Sequence, residues 1–135
     1  MDDIIFLAWD IVMDIHRRSL EAHGGQDGFI DRGVVESAIA QPRQTMFGKY
    51  LHDDVAHMAA AYLFHLATTQ GFLDGNKRTA LLCALTFLDL NGYELVVSPT
   101  EMYDLTLRVA TNGMDKTELA EWFRERITPG EGSSE

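Results

Sequence analysis

Apolar residues return at helical spacing along almost the whole chain, and that pattern limits the fold more than any other feature of the sequence. Ile4, Leu7, Ala8, Ile11, Val12 and Ile15 trace one helical stripe, which Gly24-Gly25 stops. A second helix starts near Asp31, passes through Val34, Val35, Ala38 and Ile39, and ends before Pro42. Thr45 to Asp53 is irregular and carries the aromatics Phe47 and Tyr50, which read as exposed. From about Asp54 to Thr69 an Ala-rich helix suits close packing in the middle of a bundle, and the next runs from about Asn76 to the stop pair Asn91-Gly92. Tyr93 to Val97 reads as a short extended piece. Ser98-Pro99-Thr100-Glu101 combines an N-cap serine, a proline at the first helical position and a glutamate at the third. Asp115 and Glu118 repeat the cap before a last helix containing Leu119, Trp122, Phe123 and Ile127. The expectation is an all-α bundle of about six helices with at most one small hairpin.

Length and charge narrow the class. At 135 residues the chain is one domain, with 46% hydrophobic and 24% charged residues as in ordinary soluble proteins. No internal repeat or linker interrupts it; residues 129–135, Pro129 to Glu135, read as a flexible tail on a domain of residues 1–128. No apolar run approaches the roughly 20 residues of a membrane span, and Met1-Asp2-Asp3 does not open a signal peptide. The lone Cys83 lies in the apolar run Ala80 to Leu88 and reads as a buried, inert thiol. A cytoplasmic protein fits these features. A formal charge of −10 argues against direct nucleic-acid binding, which needs a basic face.

Positive charge gathers where it is least expected. Lys77 and Arg78 fall in the first turn of a helix, just after a turn containing Gly71 and Gly75. The helix dipole favours acidic side chains at that end, and the first backbone N–H groups lack helical partners. A phosphate-bearing ligand would supply the missing negative charge, with Asp74 placed to hold a divalent cation and Phe72 to anchor the turn. A plainer reading stands beside it: Asp74-Gly75-Asn76 is also a good turn and cap, with Lys77 and Arg78 merely solvated.

Asp74-Gly75-Asn76-Lys77-Arg78-Thr79-Ala80 matches the D-G-N-K-R-T-A motif of the death-on-curing branch of the Fic/Doc family, and Asn91-Gly92-Tyr93 follows at the right distance. Gly28-Phe29-Ile30-Asp31-Arg32-Gly33-Val34-Val35-Glu36-Ser37-Ala38 resembles that branch's upstream signature. The resemblance covers roughly residues 4–127. It implies a Fic-type helical bundle in which Thr45 to Asp53 is the flap that holds a target segment. It also implies transfer of part of a nucleotide to a protein hydroxyl: AMP in most Fic proteins, the terminal phosphate of ATP in the death-on-curing branch, to which Lys77 assigns this chain. In that branch the target class is a translation elongation factor, and the setting is a toxin–antitoxin pair.

The roles carried over are Asp74 for Mg2+, Gly75 and Asn76 for phosphate, Lys77 and Arg78 for neutralising its charge, and Phe72 for the loop. Two positions depart: the family's motif histidine falls on Gln70, and the proline after it on Gly71. Ile30 also replaces an arginine of the upstream signature. A glutamine amide has no usable basicity, so Gln70 orients a hydroxyl but cannot take its proton, and the loss of a general base costs about 10²–10⁴ in rate. His65 lies one helix earlier on another face, and His57 and His52 lie further off; none replaces the base, and they form no metal-binding spacing. Three readings follow: a weakened protein kinase of the toxin type, a nucleotide- or partner-binding pseudoenzyme, and, disfavoured by Lys77, an AMP-transferase. An antitoxin partner is implied too, whose disordered segment folds into a groove between helices that Trp9, Phe29 or Tyr50 would line.

Overall fold

The structure, a computed structural model, describes residues 3–130. Among these, six α-helices occur: α1 (Trp9–His23), α2 (Arg32–Ala40), α3 (Val55–Thr69), α4 (Asn76–Leu90), α5 (Pro99–Ala110) and α6 (Lys116–Arg126). A 3-10 turn at Gln41–Arg43 follows α2. Helix α3 is the centre, packed against α2, α4, α5 and α6. Its composition explains that place: Ala56, Ala59, Ala60, Ala61 and Ala67 are all buried, so neighbouring backbones approach from several sides. Leu63 and Tyr62 of α3 meet Phe87 and Leu88 of α4 and Leu119 and Phe123 of α6 in one core. No helix among the described residues is long and apolar enough to cross a membrane.

The caps expected at Ser98/Glu101 and Asp115/Glu118 form, each as a reciprocal capping box. At the expected starts of the second and third helices, Asp31 and Asp54 prove to be N-caps too, accepting from the Val34 and His57 N–H groups. Proline at the first position of α5 and Gly24 after α1 stand as expected.

Three local expectations are corrected. Ile4, Leu7 and Ala8 precede α1, because side chains far along the chain take the backbone bonds a helix would have used. Tyr62 Oη accepts from the Leu7 N–H at 2.8 Å, and Asn91 bonds the Ile5 N–H and C=O, each at 2.9 Å. Two small antiparallel sheets occur in place of one. The hairpin β1 (Thr45–Met46) and β2 (Lys49–Tyr50) turns through Phe47 and Gly48, with φ of 53° and 77°. Two successive positive φ values match the twist of a tight hairpin. The second sheet pairs β3 (Tyr93–Leu95) with β4 (Ile127–Pro129), so Ile127 leaves the last helix. Pro129 and Gly130, assigned by composition to the tail, are tied down: Pro129 pairs with Tyr93, and Gly130 N–H donates to the Gly92 carbonyl at 2.8 Å. Proline is tolerated there because β4 is an edge strand. The rest of the proposed tail, 131–135, lies outside the described residues.

Candidate active site

Gln70 ends α3 in the left-handed conformation, φ 50° and ψ 51°, and reverses the chain toward α2. The segment 28–31 then templates the loop. Ile30 and Asp31 donate to the Gly71 carbonyl at 2.8 and 3.0 Å, and Leu73 N–H donates to the Gly28 carbonyl at 3.0 Å. Gly71 is required by space: a Cβ there would stand 2.4 Å from Val35 Cγ2. These contacts give the upstream Gly28–Ala38 stretch its physical meaning as the seat of the loop.

Phe72 is 1% exposed and lies between Phe29, at 5.6 Å, and His16, at 3.8 Å between ring centroids. Its side chain is therefore unavailable to a nucleotide, a correction to its assignment as a binding residue; it anchors the loop. For Asn76 the correction touches the side chain alone, since its backbone amide stays among the open donors at the start of α4. Its Oδ1 accepts from the Phe72 N–H at 3.0 Å and its Nδ2 donates to the Phe72 carbonyl at 2.9 Å, so the side chain closes the loop on itself.

What remains open is the start of α4. Gly75 is the N-cap at φ 81° and supplies no side-chain cap. The first amide to close a helical bond is that of Thr79, to the Gly75 carbonyl at 2.9 Å. The amides of Asn76, Lys77 and Arg78 ahead of it have no helical partner. Lys77 and Arg78 are exposed, and neither makes an ion pair among the described residues. Gln70, Asp74, Gly75, Asn76 and Lys77 together line a polar cleft of about 290 Å³. A larger cleft of about 460 Å³ adjoins it between α4 and α5, sharing Gly75, Asn76 and Lys77, with Arg78 at its rim and Leu81, Leu85 and Met102 along its floor.

Asp74 is exposed, and its Oδ2 accepts from the Gln26 N–H at 2.7 Å, while its other oxygen makes no hydrogen bond among the described residues. Among the described residues no three of His, Cys, Asp and Glu gather as a metal cage. A cation at Asp74 would thus take its remaining ligands from phosphate and water, the coordination Mg2+ adopts at nucleotide sites.

No histidine lines either cleft. His65 faces α6, its Nε2 3.0 Å from Lys116 Nζ; burial first, then the Lys116 charge, lower its pKa to about 4. His52 is 1% exposed and packs edge-on against His57; burial, then Lys116 and His57, lower it likewise to about 4. Cys83 is fully buried, and burial pushes its thiol well above the ordinary range. Sequence reasoning missed His16, whose Nε2 bonds the Asp74 carbonyl at 2.8 Å, and Gln26. The signal for His16 was its place on the buried face of α1 with Val12 and Ser19. Nothing in the sequence pointed to Gln26.

Of the aromatics, Trp9 and Phe29 are brought together at 5.9 Å, with the Arg32 guanidinium 4.6 Å over Trp9. Tyr50 stands apart, half-buried against Phe6, so the three do not share one groove. Phe47, at the tip of the β1–β2 hairpin, is 96% exposed.

Comparison with known proteins agrees with this geometry. A profile described as the Fic/DOC family matches residues 6–88. The chain is 37% identical over 101 residues to a protein named Toxin Doc from Mycolicibacterium smegmatis (strain ATCC 700084 / mc(2)155), an alignment covering 73% of this chain and 78% of that protein. It is 34% identical over 110 residues to Protein kinase doc of Escherichia phage P1, covering 82% of this chain and 86% of that one.

Proposed function

This chain belongs to the Fic/Doc family, and from that premise we propose that it is a death-on-curing toxin whose α3–α4 loop binds ATP for transfer of phosphate to a protein hydroxyl. One observation carries the reading: the uncapped start of α4 opens on a polar cleft beside Asp74, and Lys77 and Arg78 make no ion pair there among the described residues. Its amides and cations would hold the phosphates, and Asp74 a Mg2+ that offsets their charge when bound. A hydroxyl oxygen of the target would bond to the γ-phosphorus as the bond to the β–γ bridging oxygen breaks and ADP leaves. The flap from Thr45 to Asp53 would hold the target, a translation elongation factor being the class suggested by resemblance. An antitoxin with a segment that folds on binding would be the partner that restrains it.

A second reading, a nucleotide- or partner-binding pseudoenzyme, is favoured by Gln70. The position nearest the cleft that a general base should hold carries a neutral amide, and the released proton must go to solvent or a phosphate oxygen. Phosphoryl transfer leans on positioning and charge more than on a base, so slow turnover fits the same site. ATP labelled at the γ or the α position, incubated with the protein and a cell extract, separates the readings. Protein label from γ alone is the expected outcome; label from α would mean AMP transfer; ATP binding with no label would leave the pseudoenzyme.

A further inference from the structure

His16 is polar yet 3% exposed, and its ring makes two contacts at once. One face stacks on Phe72, with centroids 3.8 Å apart and planes 11° from parallel. Its edge brings Nε2 to 2.8 Å from the Asp74 carbonyl oxygen. A carbonyl only accepts, so the contact requires a proton on Nε2. Across the ring, Nδ1 lies 3.9 Å from Asp27 Oδ1, beyond hydrogen-bond reach.

A trans peptide is planar, with its C=O and N–H pointing opposite ways. Drawing the Asp74 oxygen toward His16 therefore turns the Gly75 N–H away from His16. Gly75, at φ 81° and ψ 16°, lines both clefts, and the ring lies beneath it: a Cβ added to Gly75 would be 3.5 Å from His16 Cδ2. Glycine populates positive and negative φ about equally, so the loop's covalent structure does not by itself select this peptide orientation. In the reverse orientation an anion would meet the Asp74 carbonyl instead of an amide donor.

We infer that His16 is a positioning residue that locks the Asp74–Gly75 peptide with its N–H toward the cleft, setting the anion cradle before any ligand arrives. The inference rests on the phosphate-loop reading proposed above. Two variants of the full chain divide the roles of the ring. His16→Phe keeps an aromatic face against Phe72 and removes the donor; His16→Gln returns an N–H donor without the ring. Affinity for inorganic tripolyphosphate is measured by calorimetry, alongside the melting temperature, the Gly75 amide resonance and the ring-nitrogen shifts of His16. The wild type is expected to show a protonated Nε2 and one Gly75 resonance. His16→Phe should broaden or split that resonance and weaken tripolyphosphate binding about tenfold, the effect of losing one hydrogen bond, while His16→Gln recovers most of the affinity even where it melts earlier. Unchanged affinity and a single, unshifted Gly75 resonance in His16→Phe would overturn the inference, as would an unprotonated Nε2 in the wild type. Should His16→Phe fail to fold, the wild-type spectrum and His16→Gln still decide it. A wild type that binds no polyphosphate would instead sink the phosphate-loop reading, and the two resonances would then decide the peptide lock alone.

Discussion

Helices α4 and α6 both pack on α3, yet they begin in opposite ways. At α6 the Asp115 side chain accepts from the Glu118 N–H at 2.8 Å, and Glu118 Oε1 accepts from the Asp115 N–H at 3.0 Å. The helix satisfies its own donors and places two acids at its positive end, and such a cap is worth about 1 kcal/mol. At α4 the N-cap is a glycine, the Asn76 side chain is turned back on Phe72, and the next two residues are basic. That start gives up about 0.3–1 kcal/mol for each cation set against the dipole. Lys116, at the first position of α6, is spent against the neutral His65, whereas Lys77 and Arg78 are spent on nothing within the described residues. One end is finished by its own sequence; the other is left without a side-chain cap, where the proposed function places a phosphate.

The largest expected effect sharpens the chemistry of the open end. If the cradle is set and only the base is missing, Gln70→His should raise phosphate transfer to a target protein by about 10²–10⁴, measured as γ-label incorporated over time. No gain, with nucleotide binding intact, would mean that the loop is not poised for transfer.

The next pair exchanges the two ends. Lys77→Glu gives α4 the acid a helix start prefers, so it should stabilise the fold by about 0.3–1 kcal/mol while weakening ATP binding at least tenfold. Stability and binding moving in opposite directions is the signature of a site, and a purely solvated lysine would leave binding alone. Asp115→Ala at α6 should do the reverse, costing about 1 kcal/mol in urea denaturation with ATP affinity unchanged.

A smaller effect concerns acid. His52 and His65 titrate near 4 in the folded chain, against 6.5 when unfolded. Between those values the unfolded chain binds more protons, so stability is whole above about pH 6.5 and falls as the pH drops toward 4. Protonated His65 would face the Lys116 ammonium at the start of α6, so His65→Gln should flatten the decline in melting temperature over that window.

Much of this was legible because it is local. The helix starts near Asp31 and Asp54, the caps at Ser98 and Asp115, the proline that starts α5 and the glycine that stops α1 are decided within a few residues of where they act. What was not legible depends on residues distant in sequence. Ile4 to Ala8 carries helical spacing, yet it stays outside α1, with Asn91 and Tyr62 bonded to its backbone. β4 forms because β3 offers an edge, and composition alone made its last residue a tail. At the site, the D-G-N-K-R run raised the expectation of a bound anion, but did not tell how the labour divides. The carboxamide of Asn76 and the ring of Phe72 build the loop, and His16, from a helix remote in sequence, sits beneath it.

Calorimetric titration of ATP with Mg2+ into the wild-type chain and into Lys77→Glu tests the open end most directly. Saturable binding by the wild type, weakened at least tenfold in a Lys77→Glu protein that melts no earlier, is the predicted result. Equal binding by the two proteins, or none by the wild type, would contradict the claim that the start of α4 is completed by a nucleotide phosphate.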